Sequence, residues 1–150
     1  MTDYQMLCDM LDALIDGVPH KVANLANASA LIFSSLDRIN WAGFYLLENG
    51  KLVLNAFQGK PACIEIPIGK GVCGTAAEKG ETIVVSDVHR FEGHIACDSA
   101  SKSEIVVPLL LNGKVVGVLD IDSPETDRFS IQDKAGLERV ARIIEKKIIF

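Results

Sequence analysis

The chain of 150 residues carries 15 basic and 20 acidic side chains, for a net charge of −5, and 49% of its residues are hydrophobic. This composition excludes a disordered tail protein, and it disfavours a nucleic-acid groove or an anionic-membrane patch because no basic run exceeds two residues. A chain of this length buries roughly 70% of its unfolded surface, so residues 1–150 are expected to form a single domain without metal or disulfide staples.

Hydrophobic spacing predicts two N-terminal helices. Apolar residues recur at intervals of three and four over residues 4–15, and Gly17 and Pro19 end this first helix. The second helix is predicted over residues 20–36, where small residues suit close packing against a neighbour. Its predicted buried face comprises Val22, Leu25, Ala26, Ser29, Ile32 and Phe33.

Two β-hairpins follow, each with an Asn-Gly turn. Asn49-Gly50 and Asn112-Gly113 are flanked by strand-like runs, and Asn-Gly is the strongest short-range hairpin signal. The predicted strands span residues 41–47, 51–57, 104–111 and 114–121. Strands joined by hairpins indicate a mostly antiparallel sheet.

The segments between and after the hairpins are shorter or irregular. Short strands are predicted at 63–67 and 82–86, and the glycine-rich segment 68–80 is predicted to run from a loop into one or two helical turns. Residues 87–103 form a long aperiodic segment, which in a compact domain is usually functional. A C-terminal helix is predicted to begin after Ser130 as N-cap, with Asp133 completing a capping box. The expected fold class is α+β, with a central sheet and helices at both ends of the chain.

The N-terminal segment lacks the basic region of a secretory signal, and the longest apolar stretch is far shorter than the roughly 20 residues of a membrane span. A cytoplasmic protein is therefore expected. The four cysteines of such a chain are expected to be thiols at rest, and a disulfide there is more often catalytic or redox-sensing than structural.

Three of the cysteines lie where thiols can react. Cys8, in the first predicted helix, is expected to be a buried small hydrophobe. Cys63, Cys73 and Cys97 lie in or beside irregular segments, and together they point to redox or metal chemistry. Structural zinc is disfavoured, because neither a CxxC pair nor an HxxxH pair is present.

Three carboxylates are expected at one end of the second hairpin. Asp120 and Asp122 alternate along one strand and share a face, and the Asn-Gly turn pairs Glu104 near position 121. Clustered carboxylates repel each other, so a use is indicated, either binding an ammonium group or donating a proton from a raised pKa. A solvated rim of acids is an equally good interpretation.

Two further features could contribute to a small-molecule site. The glycine-rich turn through Gly71, Val72 and Cys73 precedes a helical segment, and free backbone N–H groups at a helix start favour an anion such as a carboxylate. Trp41 and Tyr45 share a strand face and could wall a small apolar pocket, although core packing is the better interpretation of an aromatic pair on a strand.

Several motifs together resemble one enzyme family. The segments INWAGFYLLENGKLVLNAFQGKPACIEIPIGKGVCGTA, SDVHRFEGHIACDSASKSEIVVPL and GVLDIDSPETDRFS are similar to those of the free methionine-(R)-sulfoxide reductases, which are small single-domain GAF enzymes. The resemblance runs from about residue 20 to the C-terminus. A generic GAF sensor would share the sheet and the GVLD-type strand, but not the three cysteines at these places.

The resemblance implies a reaction without a cofactor or metal. A thiolate at Cys97 attacks the sulfoxide sulfur of free methionine-(R)-sulfoxide and becomes a sulfenic acid. Cys63 then resolves it to a disulfide, Cys73 is an alternative partner, and thioredoxin restores the thiols. Members of the family often form homodimers, and a homodimer is one expectation for this chain.

The same resemblance assigns the remaining site residues. Glu104 and Asp122 match acids that protonate the sulfoxide oxygen, which is otherwise a poor leaving group. Asp120 matches a residue that holds the substrate ammonium, and Trp41 and Tyr45 match the pocket around the methyl group. The backbone N–H groups of Gly71, Val72 and Cys73 are then expected to hold the substrate carboxylate.

Two other functions compete with this interpretation. A GAF module that senses a small molecule without turning it over would have the same fold, but such a module is expected to regulate an output domain, and residues 1–150 are expected to form a single domain. A metal-bound interaction protein would use the same cysteines. Metal analysis of the purified protein tests the second alternative, and turnover of the sulfoxide tests the first.

Overall fold

The computed structural model describes residues 1–95, 97 and 100–150, which fold into one six-stranded sheet with four α-helices. The helices are α1 (Tyr4–Ile15), α2 (Lys21–Ser35), α3 (Gly71–Lys79) and α4 (Ile131–Lys147). The strands are β1 (Trp41–Glu48), β2 (Lys51–Gly59), β3 (Glu65–Pro67), β4 (Ile83–Val85), β5 (Ser103–Leu111) and β6 (Lys114–Ser123). Their order is β3-β2-β1-β6-β5-β4, and every pairing is antiparallel. The predicted α+β class is confirmed.

The sheet is covered on both faces, so its central strands are apolar on both sides. Helices α1, α2 and α4 pack on one face over a core that includes Phe44, Ile105 and Leu119. Helix α3 packs on the other face over a smaller core that includes Trp41 and Val106. Among the described helices, none is long and apolar enough to cross a membrane.

Both predicted hairpin turns are confirmed. Asn49 and Gly50 have φ values of 51° and 79°, and Asn112 and Gly113 have values of 53° and 77°. Two consecutive residues with positive φ define the type I′ turn, whose twist matches that of the flanking strands. The strands extend beyond the predicted ends, to Gly59 in β2 and to Ser123 in β6.

A β-bulge in the second hairpin corrects the predicted register. Leu110 pairs with Val115, but Leu109 pairs with Gly117, so Val116 is an extra residue on β6. Beyond the bulge Glu104 lies opposite Asp122, one residue from the predicted position 121. Since residues directly opposite each other point to the same face, the bulge is what places Glu104 with the aspartates.

The buried face of α2 differs from the predicted one. Leu25, Ser29 and Ile32 are buried as predicted. Val22 is instead 63% exposed, and Asn24 and Ala28 are buried. The amide of Asn24 donates a hydrogen bond to the carbonyl of Val18, 2.8 Å away, which satisfies the backbone of the α1–α2 connection. The prediction was wrong there because a hydrophobic pattern cannot recognise a buried polar residue that bonds to the backbone.

The central irregular region also differs in detail. Helix α3 begins at Gly71, so Gly71, Val72 and Cys73 are its first residues rather than part of the preceding loop. Strand β3 begins at Glu65, which leaves Cys63 outside it. In the predicted loop 87–103, residues 88–90 form a 3₁₀ turn and Ser103 begins β5, while residues 96, 98 and 99 lie outside the described residues.

Helix α4 begins with the predicted capping box. Ser130 Oγ accepts from the backbone N–H of Asp133, and the Asp133 carboxylate accepts from the backbone N–H of Ser130. The same carboxylate lies 2.9 Å from the guanidinium of Arg128, whose side chain is 3% exposed. The cap therefore also fixes the chain that joins β6 to α4.

Replacing Ser130 by alanine is expected to destabilise the protein by about 1 kcal/mol, because an N-cap hydroxyl would be lost. For a chain of this size the thermal midpoint should fall by roughly 2–4 °C, measured by circular dichroism. Ser34→Ala, at an exposed position near the end of α2, is the matched control and should be nearly neutral. Equal midpoints for the Ser130 variant and the wild type would contradict a stabilising cap.

Candidate active site

A pocket of about 40 Å³ lies between α3 and the sheet. Its walls come from β1, β3, β5 and β6, from the start of α3, and from residues 62, 94, 95, 97 and 101. The lining comprises Trp41, Tyr45, Ala62, Ile66, Gly71, Val72, Cys73, His94, Ile95, Cys97, Ser101, Glu104, Asp120 and Asp122. The structure therefore gathers every site residue proposed from the sequence except Cys63, which is bonded to one of the lining residues.

The acids reach the pocket through strand register. Asp122 lies opposite Trp41 on β1 and opposite Glu104 on β5. Asp120 precedes Asp122 by two residues and lies opposite Gly43. Side chains two residues apart on a strand share a face, so both aspartates point toward α3 with Glu104. Glu104 is 7% and Asp120 5% exposed, which excludes the solvated rim considered above.

Burial makes the acids unequal. Burial raises the pKa of Glu104 well above its usual range, and the neighbouring charges of Asp120 and Asp122 raise it further. Burial also raises the pKa of Asp120, but hydrogen bonds from Glu104 and Cys73 oppose that effect. The pKa of both acids is therefore raised, and Glu104 is the one whose burial and neighbours all favour the protonated form.

The aromatic residues both wall the pocket and hold the segment that carries Cys63. The Trp41 indole N–H donates to the carbonyl of Lys60 at 3.1 Å, and the Tyr45 hydroxyl donates to the carbonyl of Cys63 at 2.9 Å. The rings of Trp41 and Phe57 stack with centroids 5.2 Å apart. Trp41 and Tyr45 therefore belong to the smaller core and also line the pocket.

Gly43 makes this stack possible. A Cβ on Gly43 would lie 2.3 Å from the Cβ of Phe57, so no larger residue fits while β2 keeps its place. Gly43 lies opposite Asp120 on β6.

A disulfide joins Cys63 to Cys97 across 34 residues of sequence, with Cα atoms 5.3 Å apart. The structure therefore differs from the expectation that all four cysteines are thiols. Cys8 and Cys73 are free and buried, and Cys8 belongs to the core between the helices and the sheet, as predicted. Neither Cys63 nor Cys97 lies in a helix or strand, and Cys97 lines the pocket.

Cys73 lies beneath that pair, at the start of α3. Its Sγ is 3.9 Å from Oε2 of Glu104, and burial raises the pKa of its thiol well above the usual range, with a further contribution from the Asp120 charge. A thiol held in its protonated form is a weak nucleophile. Within the described residues, no side chain caps the N-terminus of α3, and its first turn carries no acid. The helix therefore presents a partial positive charge at this end.

Some lining residues were not singled out by the sequence. His94, Ile95 and Ser101 belong to the long segment that was identified as functional from its length alone. Ile95 packs against Gly71, where an added Cβ would lie 3.2 Å from its Cγ1, and so covers the start of α3. Their presence beside Cys97 in the motif GHIAC was the signal that could have found His94 and Ile95.

Comparison with known proteins places the chain in a family. The GAF domain model matches residues 11–148. The chain is 53% identical to the free methionine-R-sulfoxide reductase of Escherichia coli over 90% of this chain and 82% of that protein. It is 49% identical to the Saccharomyces cerevisiae protein of the same name, over 93% of this chain and 82% of that protein. A solved structure of fRMsr of Staphylococcus aureus in complex with substrate superposes with a TM-score of 0.94 at 56% identity, covering 98% of this chain and 96% of that one.

These matches extend over nearly the whole chain, including the segments that carry the three loop cysteines and the acids. The α+β architecture and the GAF fold are confirmed together. The chain belongs to the GAF domain family and, within it, to the free methionine-R-sulfoxide reductases, which are oxidoreductases.

Proposed function

We propose that this protein reduces free L-methionine-(R)-sulfoxide to methionine through a cysteine sulfenic acid, with thioredoxin as reductant. The observation that carries the proposal is the Cys63–Cys97 disulfide beside a pocket lined by Glu104, a buried acid whose pKa is raised. Thiol and acid are the two groups that reduction of a sulfoxide by a protein requires.

In the proposed first step the Cys97 thiolate attacks the sulfoxide sulfur. Glu104, with Asp122 beside it, protonates the sulfoxide oxygen, because oxide is a poor leaving group. The oxygen passes to Cys97 as a sulfenic acid and methionine is released. The raised pKa of Glu104 supports its role as donor, since an ordinary carboxyl group would already have lost its proton at neutral pH.

The second step closes the disulfide. The Cys63 thiol attacks the sulfenic sulfur, the S–S bond forms, and the oxygen leaves as water. Cys63 suits this role better than Cys73, since Cys73 is buried and its pKa is raised. A thioredoxin dithiol then exchanges with the disulfide, so the net reaction converts the sulfoxide and reduced thioredoxin to methionine, oxidised thioredoxin and water.

Recognition would depend on both charged ends of the amino acid. Asp120 holds the ammonium, the first backbone N–H groups of α3 at Gly71, Val72 and Cys73 receive the carboxylate, and Trp41 and Tyr45 enclose the methyl group. A peptide-bonded methionine sulfoxide lacks both charges, and its rejection follows because the buried polar groups would stay unpaired.

The pocket of the oxidised form is too small for this substrate. A cavity of about 40 Å³ is far below the range of roughly 300–1,000 Å³ in which small-molecule sites usually fall. Ile95 covers the proposed carboxylate position at Gly71, and it is close in sequence to Cys97. Opening of the disulfide is therefore the step that we expect to admit substrate.

The test is NADPH consumption with thioredoxin and thioredoxin reductase. Free methionine-(R)-sulfoxide, its S epimer and the N-acetylated R form are offered in parallel. We expect turnover of the free R form alone. Absence of turnover with all of them, in protein whose thiols are shown to be reduced, would instead favour a GAF module that binds a small molecule without converting it.

Replacing Cys63 by serine is expected to slow thioredoxin-driven turnover much more than the first chemical step, because the sulfenic acid would lack its resolving partner. Mass spectrometry after one turnover in the presence of a sulfenic-acid trap should find the adduct on Cys97. Cys8→Ala is the matched control and should behave as the wild type. An unchanged steady state in the Cys63 variant would transfer the resolving role to Cys73.

A further inference from the structure

Three metal-binding groups meet at the floor of the pocket although no sequence motif links them. Cys73 from α3, Glu104 from β5 and Asp120 from β6 offer a sulfur and two carboxylate oxygens that lie within 4.8 Å of one another. All three residues are buried, with exposed fractions of 4%, 7% and 5%. Spacing rules cannot detect this set, because its members come from three separate elements.

Asp120 supplies a second observation, which points to a positively charged ligand at this place. Its Oδ1 is buried and has no hydrogen-bond partner among the described residues, although the side chain lines the pocket. A buried carboxylate oxygen without a donor is costly, and an unoccupied ion site is one of the standard explanations. Among the pocket-lining residues that the structure describes, none is a Lys or Arg that could neutralise this oxygen.

The donor set and the available space fit zinc. Zinc accepts both thiolate sulfur and carboxylate oxygen as ligands, at about 2.3 Å to sulfur and about 2.0–2.2 Å to oxygen. Tetrahedral angles then place sulfur and oxygen about 3.5 Å apart, close to the 3.9 Å between Cys73 Sγ and Glu104 Oε2. A cavity of about 40 Å³ is too small for an amino acid, but it holds an ion and a water molecule.

We propose that Cys73, Glu104 and Asp120 form a zinc site inside the substrate pocket, with water as the fourth ligand. Coordination releases the thiol proton of Cys73 and the carboxyl proton of Glu104 to solvent, and Oδ1 of Asp120 becomes a ligand of the ion. Because the proposed function assigns that oxygen to the substrate ammonium and Glu104 to proton donation, bound zinc inhibits the reductase competitively. This inhibition rests on the proposed function, whereas the metal site itself does not.

The oxidised protein offers a clean test with Co²⁺ as a spectroscopic substitute for zinc. With Cys63 and Cys97 in the disulfide, the remaining thiols are Cys8 and Cys73. We expect a near-ultraviolet thiolate-to-cobalt charge-transfer band and tetrahedral visible bands that saturate at about one equivalent of metal. Zinc should displace the cobalt and abolish both the charge-transfer band and the visible bands.

Matched variants assign the ligands. Cys8→Ala should leave the charge-transfer band unchanged, and Cys73→Ala should remove it while circular dichroism shows a retained fold. Glu104→Gln and Asp120→Asn should each weaken Co²⁺ binding by at least about 10-fold, which tests the site without altering the thiol. Absence of the band in the wild type, its persistence in Cys73→Ala, or unchanged affinity in both carboxylate variants would overturn the proposal.

Inhibition is measured separately, in a single turnover by reduced protein freed of excess reductant. Zinc is expected to raise the concentration of methionine-(R)-sulfoxide needed for half-maximal rate without lowering the maximal rate. Cobalt binding without any sulfoxide turnover would overturn the proposed function and leave the metal site standing. Sulfoxide turnover without cobalt binding would overturn the metal site and leave the proposed function standing.

Discussion

Replacing Cys97 by serine is expected to reduce turnover of methionine-(R)-sulfoxide by at least about three orders of magnitude, the scale on which enzymes lose rate with their nucleophile. A serine hydroxyl at its ordinary pKa cannot supply the anion that attacks the sulfoxide sulfur, whereas a cysteine provides a thiolate. The measurement is methionine formed in a single turnover by the reduced protein, which isolates the first chemical step from recycling.

The fold should survive this substitution, because the sulfur of Cys97 is not part of either hydrophobic core. Circular dichroism of the reduced variant should match that of the reduced wild type, and Cys8→Ala should retain full turnover. Retention of more than about a tenth of wild-type activity by the Cys97 variant would move the nucleophile to another cysteine.

Replacing Glu104 by glutamine is expected to slow the reductive step by roughly 10²–10⁴-fold, the usual contribution of a positioned general acid. An amide keeps the shape of the side chain but cannot deliver a proton to the sulfoxide oxygen. Because burial raises the pKa of Glu104, the wild-type rate of this step should fall as pH rises through that raised pKa, and the variant should lack this decrease. Glu81→Gln, at an exposed position outside the pocket lining, is the matched control.

Glu104→Gln, which is expected to lower the reaction rate, is expected to raise the free energy of unfolding at alkaline pH. The folded protein binds the Glu104 proton more tightly than the unfolded chain, so the stability from this group is complete below the unfolded pKa of about 4.3 and is lost as pH rises through the folded pKa. Because glutamine does not ionise, the free energy of unfolding of the variant should increase relative to that of the wild type as pH rises. We expect a gain of about 1–3 kcal/mol at alkaline pH, measured by urea unfolding. A constant difference between the two proteins across pH would show that Glu104 keeps an ordinary pKa.

The sequence by itself determined the local structure and the composition of the site. Asn49-Gly50 and Asn112-Gly113 placed both hairpins, since few dipeptides adopt two consecutive positive φ values. The capping box at Ser130 was predicted because it depends only on residues within one turn. The site residues were proposed from motifs, and their roles stay predictions, although the structure gathers them around one pocket.

Only the tertiary structure decided which of these groups meet and in what state. One extra residue in β6, at Val116, places Glu104 opposite Asp122, and a turn signal cannot specify a bulge several residues away. Burial between α3 and the sheet raises the pKa of Cys73, Glu104 and Asp120, and hydrogen bonds oppose that effect only at Asp120. These properties depend on what covers a side chain, and residues that are distant in sequence supply that cover.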